Sequence, residues 1–251
     1  MPPKVLAFSA LAAALMVSGC SSSGSAPSSP LNYSAVAVQS GGGTSTTSGS
    51  ISGSPQNATV RVGGTTYTFG GATYEGNTSG IDTYRYSSGN RIDPNGAALN
   101  VGQYARAALI ADNVNGQAAF VVDGTETRYS DMPNQSANYD GLWSISDAAG
   151  GQAAGTFEAG VNFDSRAIGF ELYDQSGLVG GGNGRVQGTG FTSTLDTRNA
   201  QDQGPVGGNF NSNNRVDGQF YGPRAAEMAG LISGSTTSGD STGGALIGTK
   251  R

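Results

Sequence analysis

Few side chains in this sequence are suited to catalysis, because its 251 residues contain no histidine and only one cysteine. Ser–His–Asp and Cys–His catalysis and zinc sites built on His or Cys are therefore excluded. Glu158 and Glu171 could form a carboxylate pair of the kind that hydrolyses glycosides. Period-2 alternation, however, places both on the polar face of neighbouring predicted strands. We interpret them as solvated surface charges and expect a protein that is not an enzyme.

Two kinds of segment have the composition of ligand-binding loops without the residues that such loops need. Gly180–Gly184 is glycine-rich, but neither a helix pattern nor Lys-Ser/Thr follows it, as a phosphate-binding loop would require. Asp93–Gly96 and Asp112–Gly116 offer oxygen atoms, but neither reaches the bidentate glutamate of a calcium loop. We interpret the glycine run as a turn or bulge and the other two as Asx turns, and we expect no bound cofactor.

Haem is the small ligand that stays open as an alternative. Without histidine, its iron could be bound only by tyrosine, methionine or cysteine side chains. Tyrosines are also ordinary strand formers and interface anchors, so their number does not decide the question. The tyrosines of the N-terminal half that could serve are Tyr67, Tyr74, Tyr84, Tyr86 and Tyr104.

The N-terminus has the organisation of a bacterial secretory signal that ends in a reactive thiol. Lys4 supplies a positive charge, and Val5–Met16 is an apolar run that is too short to span a membrane. Val17–Gly19 then leads into Cys20, a pattern that resembles a lipobox. The resemblance implies cleavage before Cys20, attachment of palmitate-type acyl chains to it, and stable membrane anchoring. Ser21, in a position where aspartate would retain the protein in the inner membrane, resembles lipoproteins of the outer membrane.

The composition indicates an acidic, all-β protein. The 13 basic and 18 acidic residues give a net charge of −5, which argues against a nucleic-acid partner. The chain has 42 glycines, more than twice the usual share of roughly 7%. Glycine at this level, with turn signals about every ten residues, favours an antiparallel sandwich or a closed barrel with many tight turns.

The clearest strand pair lies in the second half of the chain. In Thr156–Phe163, apolar and polar residues alternate, and Arg166–Tyr173 repeats the pattern after a short turn at Asp164–Ser165. The two runs predict a hairpin with one apolar face, as a barrel or sandwich needs.

Three segments of the C-terminal half resemble the barrel domains of transferrin-binding protein B. The most specific is Val216–Gly230, with its Phe-Tyr-Gly-Pro run at 220–223. Tyr139–Trp143 is similar to the first barrel strand of that family, and Gly243–Arg251 is similar to its C-terminal ending. The resemblance implies an eight-stranded antiparallel barrel in a lipidated surface protein. Members bind transferrin, complement factor H, or haem and haemoglobin, and this chain is most similar to single-lobed members.

These observations together predict four segments. Residues 1–19 are a lipoprotein signal peptide, 20–56 a flexible Ser/Gly-rich tether, 57–136 a β-rich handle domain and 137–251 the barrel domain. Within the barrel, alternation places Phe220 inside, together with Val216 and Gly218. The Gly-rich or polar segments Asp174–Asn183 and Asp196–Gly204 are predicted to be surface loops that carry recognition.

The expected function is that of a non-catalytic outer-membrane lipoprotein, anchored through Cys20 at the cell surface. It would bind a transferrin-like protein or a haemoprotein from a host or the environment, with iron acquisition as the expected context. A TonB-dependent receptor or an outer-membrane translocon is the expected membrane partner. Two alternatives stay open, namely a haem or small-molecule binding lipoprotein and a structural envelope lipoprotein without a soluble ligand.

Overall fold

The computed structural model describes residues 33–54, 57–70, 73–78, 81–85, 96–112, 117–197, 200–201, 209–210 and 212–251. Cys20, the predicted signal peptide and the first part of the predicted tether lie outside these residues. So do most of Asp93–Gly96 and of Asp112–Gly116. No helix in the described ranges is both long and apolar enough to cross a membrane.

The described residues form strands and one short 3-10 turn at Tyr129–Asp131. The strands are β1 (Ala35–Gln39), β2 (Thr44–Thr47), β3 (Gly49–Ser52), β4 (Thr59–Val62), β5 (Thr65–Thr68), β6 (Thr73–Thr78), β7 (Ile81–Arg85), β8 (Gly96–Val101), β9 (Ala105–Asp112), β10 (Gln117–Gly124), β11 (Ser136–Asp147), β12 (Gln152–Asn162), β13 (Ala167–Asp174), β14 (Gly177–Gln187), β15 (Gly190–Asp196), β16 (Ala200–Gln201), β17 (Asn209–Phe210), β18 (Ser212–Tyr221), β19 (Glu227–Thr236) and β20 (Ser241–Lys250).

Eight antiparallel strands close into a barrel in the order β11-β12-β13-β14-β15-β18-β19-β20, which confirms the predicted architecture. The pairing of β11 with β20 closes the ring, with Trp143 opposite Leu246. Alternating residues point inward, as the hairpin pattern predicted, and they fill the interior with side chains. This barrel core includes Tyr139, Trp143, Phe157, Phe170, Leu172, Phe191, Leu195, Val216, Phe220, Met228 and Ile232.

The N-terminal part is built from a seven-stranded sheet, in the order β2-β1-β10-β9-β8-β7-β6, and a three-stranded sheet, β3-β4-β5. We call these two sheets the handle. One face of the larger sheet packs against the smaller one, in a core that contains Ile51, Val60, Tyr67, Phe69 and Ile110. Its other face packs against the outer wall of the barrel. Strands β1, β9 and β10 of the larger sheet are therefore apolar on both faces, and three layers follow one another from the small sheet to the barrel.

Residues 33–54 differ from the predicted flexible tether, because they supply β1, β2 and β3. Ala35, Val36, Ala37 and Val38 are all buried, since β1 lies inside the larger sheet and contacts a layer on each side. A strand buried on both faces is apolar at successive positions rather than at alternate ones. The apolar run Tyr33–Gln39 by itself indicates an early strand, and β1 confirms it. The Ser, Gly and Thr around this run belong to β2 and β3, and their composition concealed those two strands.

Of the two structures predicted for the glycine run at 180–184, a turn or a bulge, the turn is wrong and a bulge lies beside the run. The run lies within β14, so the predicted loop Asp174–Asn183 is reduced to a short turn before Gly177. A Cβ atom at Gly180 or Gly182 would overlap the backbone carbonyl oxygens of Asp196 or Thr194 on the neighbouring strand. Glycine is therefore needed here because the strands approach closely where the barrel wall coils. The register shift between Leu172 and Tyr173 marks a bulge in the same pair of strands.

Candidate functional site

The Phe-Tyr-Gly-Pro segment has two faces with different surroundings. Phe220 is fully buried inside the barrel, with ring centroids 5.1 Å from Phe163, 5.3 Å from Phe191 and 5.9 Å from Tyr139. Tyr221 points outward but is only 3% exposed, because the handle covers it. The inward position of Phe220 agrees with the prediction. The covered outward face could not be seen in the barrel pattern alone.

Backbone hydrogen bonds attach the end of the handle to this segment. Thr125 O accepts the Gly222 N–H at 2.8 Å, and the Thr127 N–H donates to Phe220 O at 2.9 Å. The Thr127 hydroxyl donates to Gly222 O at 2.6 Å. Gly222 has φ = 71°, and a Cβ atom there would overlap the ring of Tyr104. The turn after β18 thus depends on glycine both for its conformation and for the approach of the handle.

A buried carboxylate completes the connection. Glu227 is 5% exposed, and its Oε2 accepts the backbone N–H groups of Tyr104 at 3.0 Å and Ala105 at 2.6 Å. Its Oε1 accepts the N–H of Gln103 at 2.8 Å. We call Glu227 and these three N–H groups the carboxylate lock. Gly102 is part of its environment, because a Cβ atom there would overlap Glu227 Oε2. Sequence analysis missed this role, although a lone acidic residue at the start of the apolar run 228–232 was a signal for it.

Apolar side chains make up the rest of the contact between handle and barrel. From the handle come Val36, Val38, Phe120 and Val122, and from the outer face of β19 and β20 come Ala229, Leu231, Ala245 and Ile247. Gly243 fits the same surface, since a Cβ atom there would lie 2.5 Å from Val38 and 2.7 Å from Val36. This side of the barrel is therefore an internal interface and is not available to a ligand.

The outer wall formed by β11–β14 carries exposed or half-exposed side chains instead. Glu158 and Glu171 are direct cross-strand partners on this wall. Arg251 pairs with Glu158 at 3.0 Å and also with Asp140. Glu171 accepts a 2.6 Å hydrogen bond from the Tyr173 hydroxyl, which together with burial raises the pKa of Tyr173 to about 12. Both glutamates are thus engaged by neighbouring side chains at the surface, where the sequence analysis placed them.

A pocket of about 240 Å³ opens in the same wall. Its polar rim includes Asp140, Glu158, Glu171 and Asn183, and the glycines at 160, 169 and 182 leave room at its base. Leu178, on the adjoining strand, is a large apolar side chain that is 60% exposed. The wall therefore combines acidic groups with one exposed apolar side chain.

The two predicted recognition segments come together at one end of the barrel. The turn after β13, the end of β15 and the start of β18 all lie at the end opposite the Phe-Tyr-Gly-Pro turn. Asp174 Oδ1 accepts 2.6 Å hydrogen bonds from the N–H and hydroxyl of Ser176, which fixes the first turn. Of the second segment, residues 198–199 and 202–204 lie outside the described residues, while Ala200–Gln201 form β16, which pairs with β17 beyond the segment. We call this end, with the turns at 148–151 and 237–240, the loop end.

The candidate haem tyrosines occupy different environments. Tyr67 is 3% exposed in the core between the two handle sheets, and Tyr104 packs against the interface with the barrel. Tyr74 is 52% exposed. The side chains of Tyr84 and Tyr86 lie outside the described residues. Across the described ranges, no group of three or more His, Cys, Asp or Glu side chains is placed to hold a metal ion.

A closed, filled barrel fused to a β-sheet handle, with an open wall and a loop end, defines a class of two-part all-β proteins. Residues 115–251 match the family described as the C-lobe and N-lobe β-barrels of Tf-binding protein B. The chain belongs to this family. No curated protein has a sequence significantly similar to this chain.

Solved structures agree on the fold. A point mutant of transferrin-binding protein B from Haemophilus parasuis Hp5 is 18% identical, with a TM-score of 0.60 over 86% of this chain and 44% of that one. The isotype 1 protein from serogroup B Neisseria meningitidis is 17% identical, with a TM-score of 0.57 over 87% and 43%. Intact Ap-TbpB, with N and C lobes, is 18% identical, with a TM-score of 0.57 over 86% of this chain and 45% of that one. The chain thus spans less than half the length of these proteins.

Proposed function

We propose that this chain is a non-catalytic lipoprotein of the outer-membrane surface that binds a protein ligand. The observation that carries the proposal is that the barrel of this chain, which matches the family, is filled with side chains. A filled barrel favours recognition on its outer surface over enclosure of a small molecule. The loop end and the β11–β14 wall are the surfaces that we assign to the ligand.

A transferrin-like protein is the first ligand to test, because the similar solved structures are named for transferrin binding. The full chain, immobilised, should retain such a protein from serum. Leu178→Asp should weaken the capture, since it places a charge on a side chain that is 60% exposed on the proposed surface. Its melting temperature should stay close to that of the parent, because surface substitutions usually change stability by less than about 0.5 kcal/mol.

Tyr129→Ala is the matched control, since Tyr129 is also half exposed but lies in the connection between handle and barrel. It should leave capture unchanged. Equal capture by the Leu178→Asp variant and the parent would remove the wall from the proposal. A Soret band in the purified protein, without capture of any serum protein, would favour the haem alternative instead.

Anchoring through Cys20 is a separate part of the proposal. It is supported by the apolar run and the small residues before Cys20, and by family membership. In cells fed a clickable palmitate analogue, the parent chain should be labelled and should sediment with the outer membrane. Cys20→Ala should lose both properties, because no other cysteine is present. Equal labelling of the two proteins would contradict acylation at this residue.

A further inference from the structure

The interior of the barrel changes from apolar to polar towards the loop end. Near the Phe-Tyr-Gly-Pro turn it contains the packed rings of Phe163 and Phe220. At the loop end, four polar side chains occupy inward positions, since they continue the alternation of the buried residues Leu195, Val216 and Leu246. All four are 7% exposed or less. We call these side chains the polar layer: Thr197, Ser212, Asn214 and Thr242.

The members of the polar layer are hydrogen-bonded to one another in a chain. The Thr242 hydroxyl donates to Asn214 Oδ1 at 2.5 Å, and Asn214 Nδ2 donates to Ser212 Oγ at 2.5 Å. The hydroxyls of Ser212 and Thr197 form the last bond of the chain. A buried polar side chain without a partner is costly, and this chain of bonds gives each of the four at least one partner.

The polar layer joins strand ends that are distant in sequence. Thr197 directly follows β15, Ser212 begins β18, and Thr242 is the second residue of β20. The backbone N–H of Thr197 also donates to Ser212 O at 3.2 Å. All three strands have these ends at the loop end of the barrel. The side-chain bonds therefore fix the strand ends relative to one another across the barrel interior.

Thr242 also connects the polar layer to the surface of the loop end. Its carbonyl oxygen accepts the hydroxyl of Thr44, on β2 of the handle, at 3.1 Å. The preceding residue, Ser241, accepts the Ala148 N–H at 2.9 Å, and Ala148 O in turn accepts the Gly41 N–H at 3.1 Å. Two turns of the loop end and the β1–β2 hairpin of the handle therefore meet beside this one residue.

Stability alone does not explain why polar side chains occupy this part of the core. When both partners of a buried hydrogen bond are replaced by apolar groups of the same shape, the change is often nearly neutral or stabilising. A hydrogen bond has a direction, however, so a fully paired network specifies one arrangement of the groups that carry it. The polar layer is suited to fixing geometry, and it lies under the turns that the proposed function assigns to recognition.

We propose that the polar layer positions the loop end for its protein ligand, with Asn214 and Thr242 as the central positioning residues. The inference rests on the proposed function, and it adds the residues that hold the recognition surface in one conformation. The four side chains are buried, so they act through the turns above them and do not touch the ligand. A surface that is already ordered loses less entropy when the ligand binds.

Amide hydrogen exchange of the isotope-labelled full chain, followed by NMR, tests the positioning role. Thr242→Val keeps the shape of the side chain and removes its hydrogen bond to Asn214. The amides of Ala148 and Thr197 should then exchange about three- to tenfold faster, the range expected for the loss of one neutral hydrogen bond. The amide of Gly222, at the opposite end of the barrel, should exchange as in the parent.

Two control variants separate positioning from a general loss of stability. Thr242→Ser keeps the hydroxyl and should restore the exchange rates of the parent. Thr189→Val removes a hydroxyl at the opposite end, where it accepts the Gln219 amide at 2.6 Å, and should leave the loop end unchanged. Equal acceleration at Ala148 and Gly222 in the Thr242→Val variant, or no acceleration at Ala148, would overturn the inference.

The paired variant Asn214→Leu with Thr242→Val connects positioning to binding. It removes both partners of one hydrogen bond, so its melting temperature should stay close to that of the parent. With a dilution series of whole serum as the probe, the dissociation constant of the retained protein should still rise about three- to tenfold. Unchanged binding, or weaker binding that accompanies a large fall in melting temperature, would overturn the inference.

Failure of this inference is distinguishable from failure of the proposed function. If the parent retains a serum protein and the paired variant binds it equally well, the positioning role is wrong and the binding function stands. If the parent retains no serum protein while Thr242→Val accelerates exchange at the loop end only, the proposed function is wrong and the control of the loop end by the polar layer stands.

Discussion

Replacing Glu227 by glutamine tests whether the carboxylate lock joins the handle to the barrel. The substitution keeps the shape of the side chain and removes its charge. One carboxylate oxygen becomes an NH₂ group, which cannot accept a hydrogen bond. If the remaining oxygen faces Tyr104 and Ala105, the NH₂ group must face the N–H of Gln103.

The expected loss follows from these three bonds. Hydrogen bonds to charged groups contribute about 1.5–3 kcal/mol each, and one of the three is lost outright. The N–H of Gln103 is left opposite another donor, and the two remaining bonds weaken with the charge. We expect a loss of about 2–4 kcal/mol. For a chain of this size, about 2–4 °C per kcal/mol gives a fall in melting temperature of roughly 4–16 °C.

Calorimetry and hydrogen exchange together measure this effect. The amides of Gln103, Tyr104 and Ala105 should exchange much faster in the variant, while those at the centre of the barrel change less. Glu158→Gln is the matched control, because Glu158 is a half-exposed carboxylate paired with Arg251. Exposed ion pairs contribute about 0–1 kcal/mol, so this control should melt close to the parent.

A Glu227→Gln variant that melts like the Glu158→Gln control, with unchanged exchange at residues 103–105, would refute the reasoning. The lock would then contribute no more than a surface ion pair. The apolar contacts between handle and barrel would have to hold the two parts together without it.

Three further predictions test the barrel, the interface and the exposed wall. Phe220→Ala should lower the free energy of unfolding by about 3–5 kcal/mol, because the ring is fully buried among other rings, and calorimetry should show a fall in melting temperature of roughly 6–20 °C. Tyr129→Ala, the control, should change the melting temperature little. A Phe220→Ala protein that melts like the parent but fails to bind would make Phe220 a contact residue. Leu231→Asp places a charge in the buried interface, so limited proteolysis should cleave the connection at 132–135 faster than in the parent; unchanged cleavage would contradict a tight interface. Glu171→Ala should lower the pKa of Tyr173 from about 12 towards its ordinary value of about 10 in a tyrosine NMR titration. Since that pKa is raised in the folded state, the contribution of Tyr173 to stability is complete below about pH 10 and is lost as the pH rises through about 12; the variant should lose this dependence, and an unchanged titration would contradict the role of Glu171.

The strands of the barrel could be predicted because they obey a local rule, whereas their closure into an eight-stranded barrel was predicted from the family resemblance. The alternation of apolar and polar residues in 156–163 and 166–173 predicts one buried face in each strand. The structure confirms it, since Phe157, Phe170 and Leu172 lie in the core. The position of Phe220 followed from the same rule. Where each strand has one apolar and one solvated face, the sequence contains the information needed.

The rule fails where a strand contacts protein on both sides. β1 and the outward residues of β19 and β20 are buried by partners that are distant in sequence. Leu231 and Tyr221 are outward in the barrel pattern and would be assigned to solvent by alternation alone. They are buried only because the handle packs against the barrel. The contacts between the two join residues more than 90 positions apart in the sequence, such as Thr127 and Gly222. The interface and the carboxylate lock could not be predicted for this reason.

This division also explains why the family signature identifies the fold more readily than the ligand. Phe220 packs in the core, Gly222 makes the turn, and Glu227 binds the handle. The residues of the segment that carries the resemblance therefore stabilise the fold. The loop end lies at the opposite end of the barrel, where turns such as the one fixed by Asp174 make few demands on the core. The recognition that we propose for the loop end can change without loss of the fold. Tyr221 belongs to the same structural role, because its ring packs under the handle.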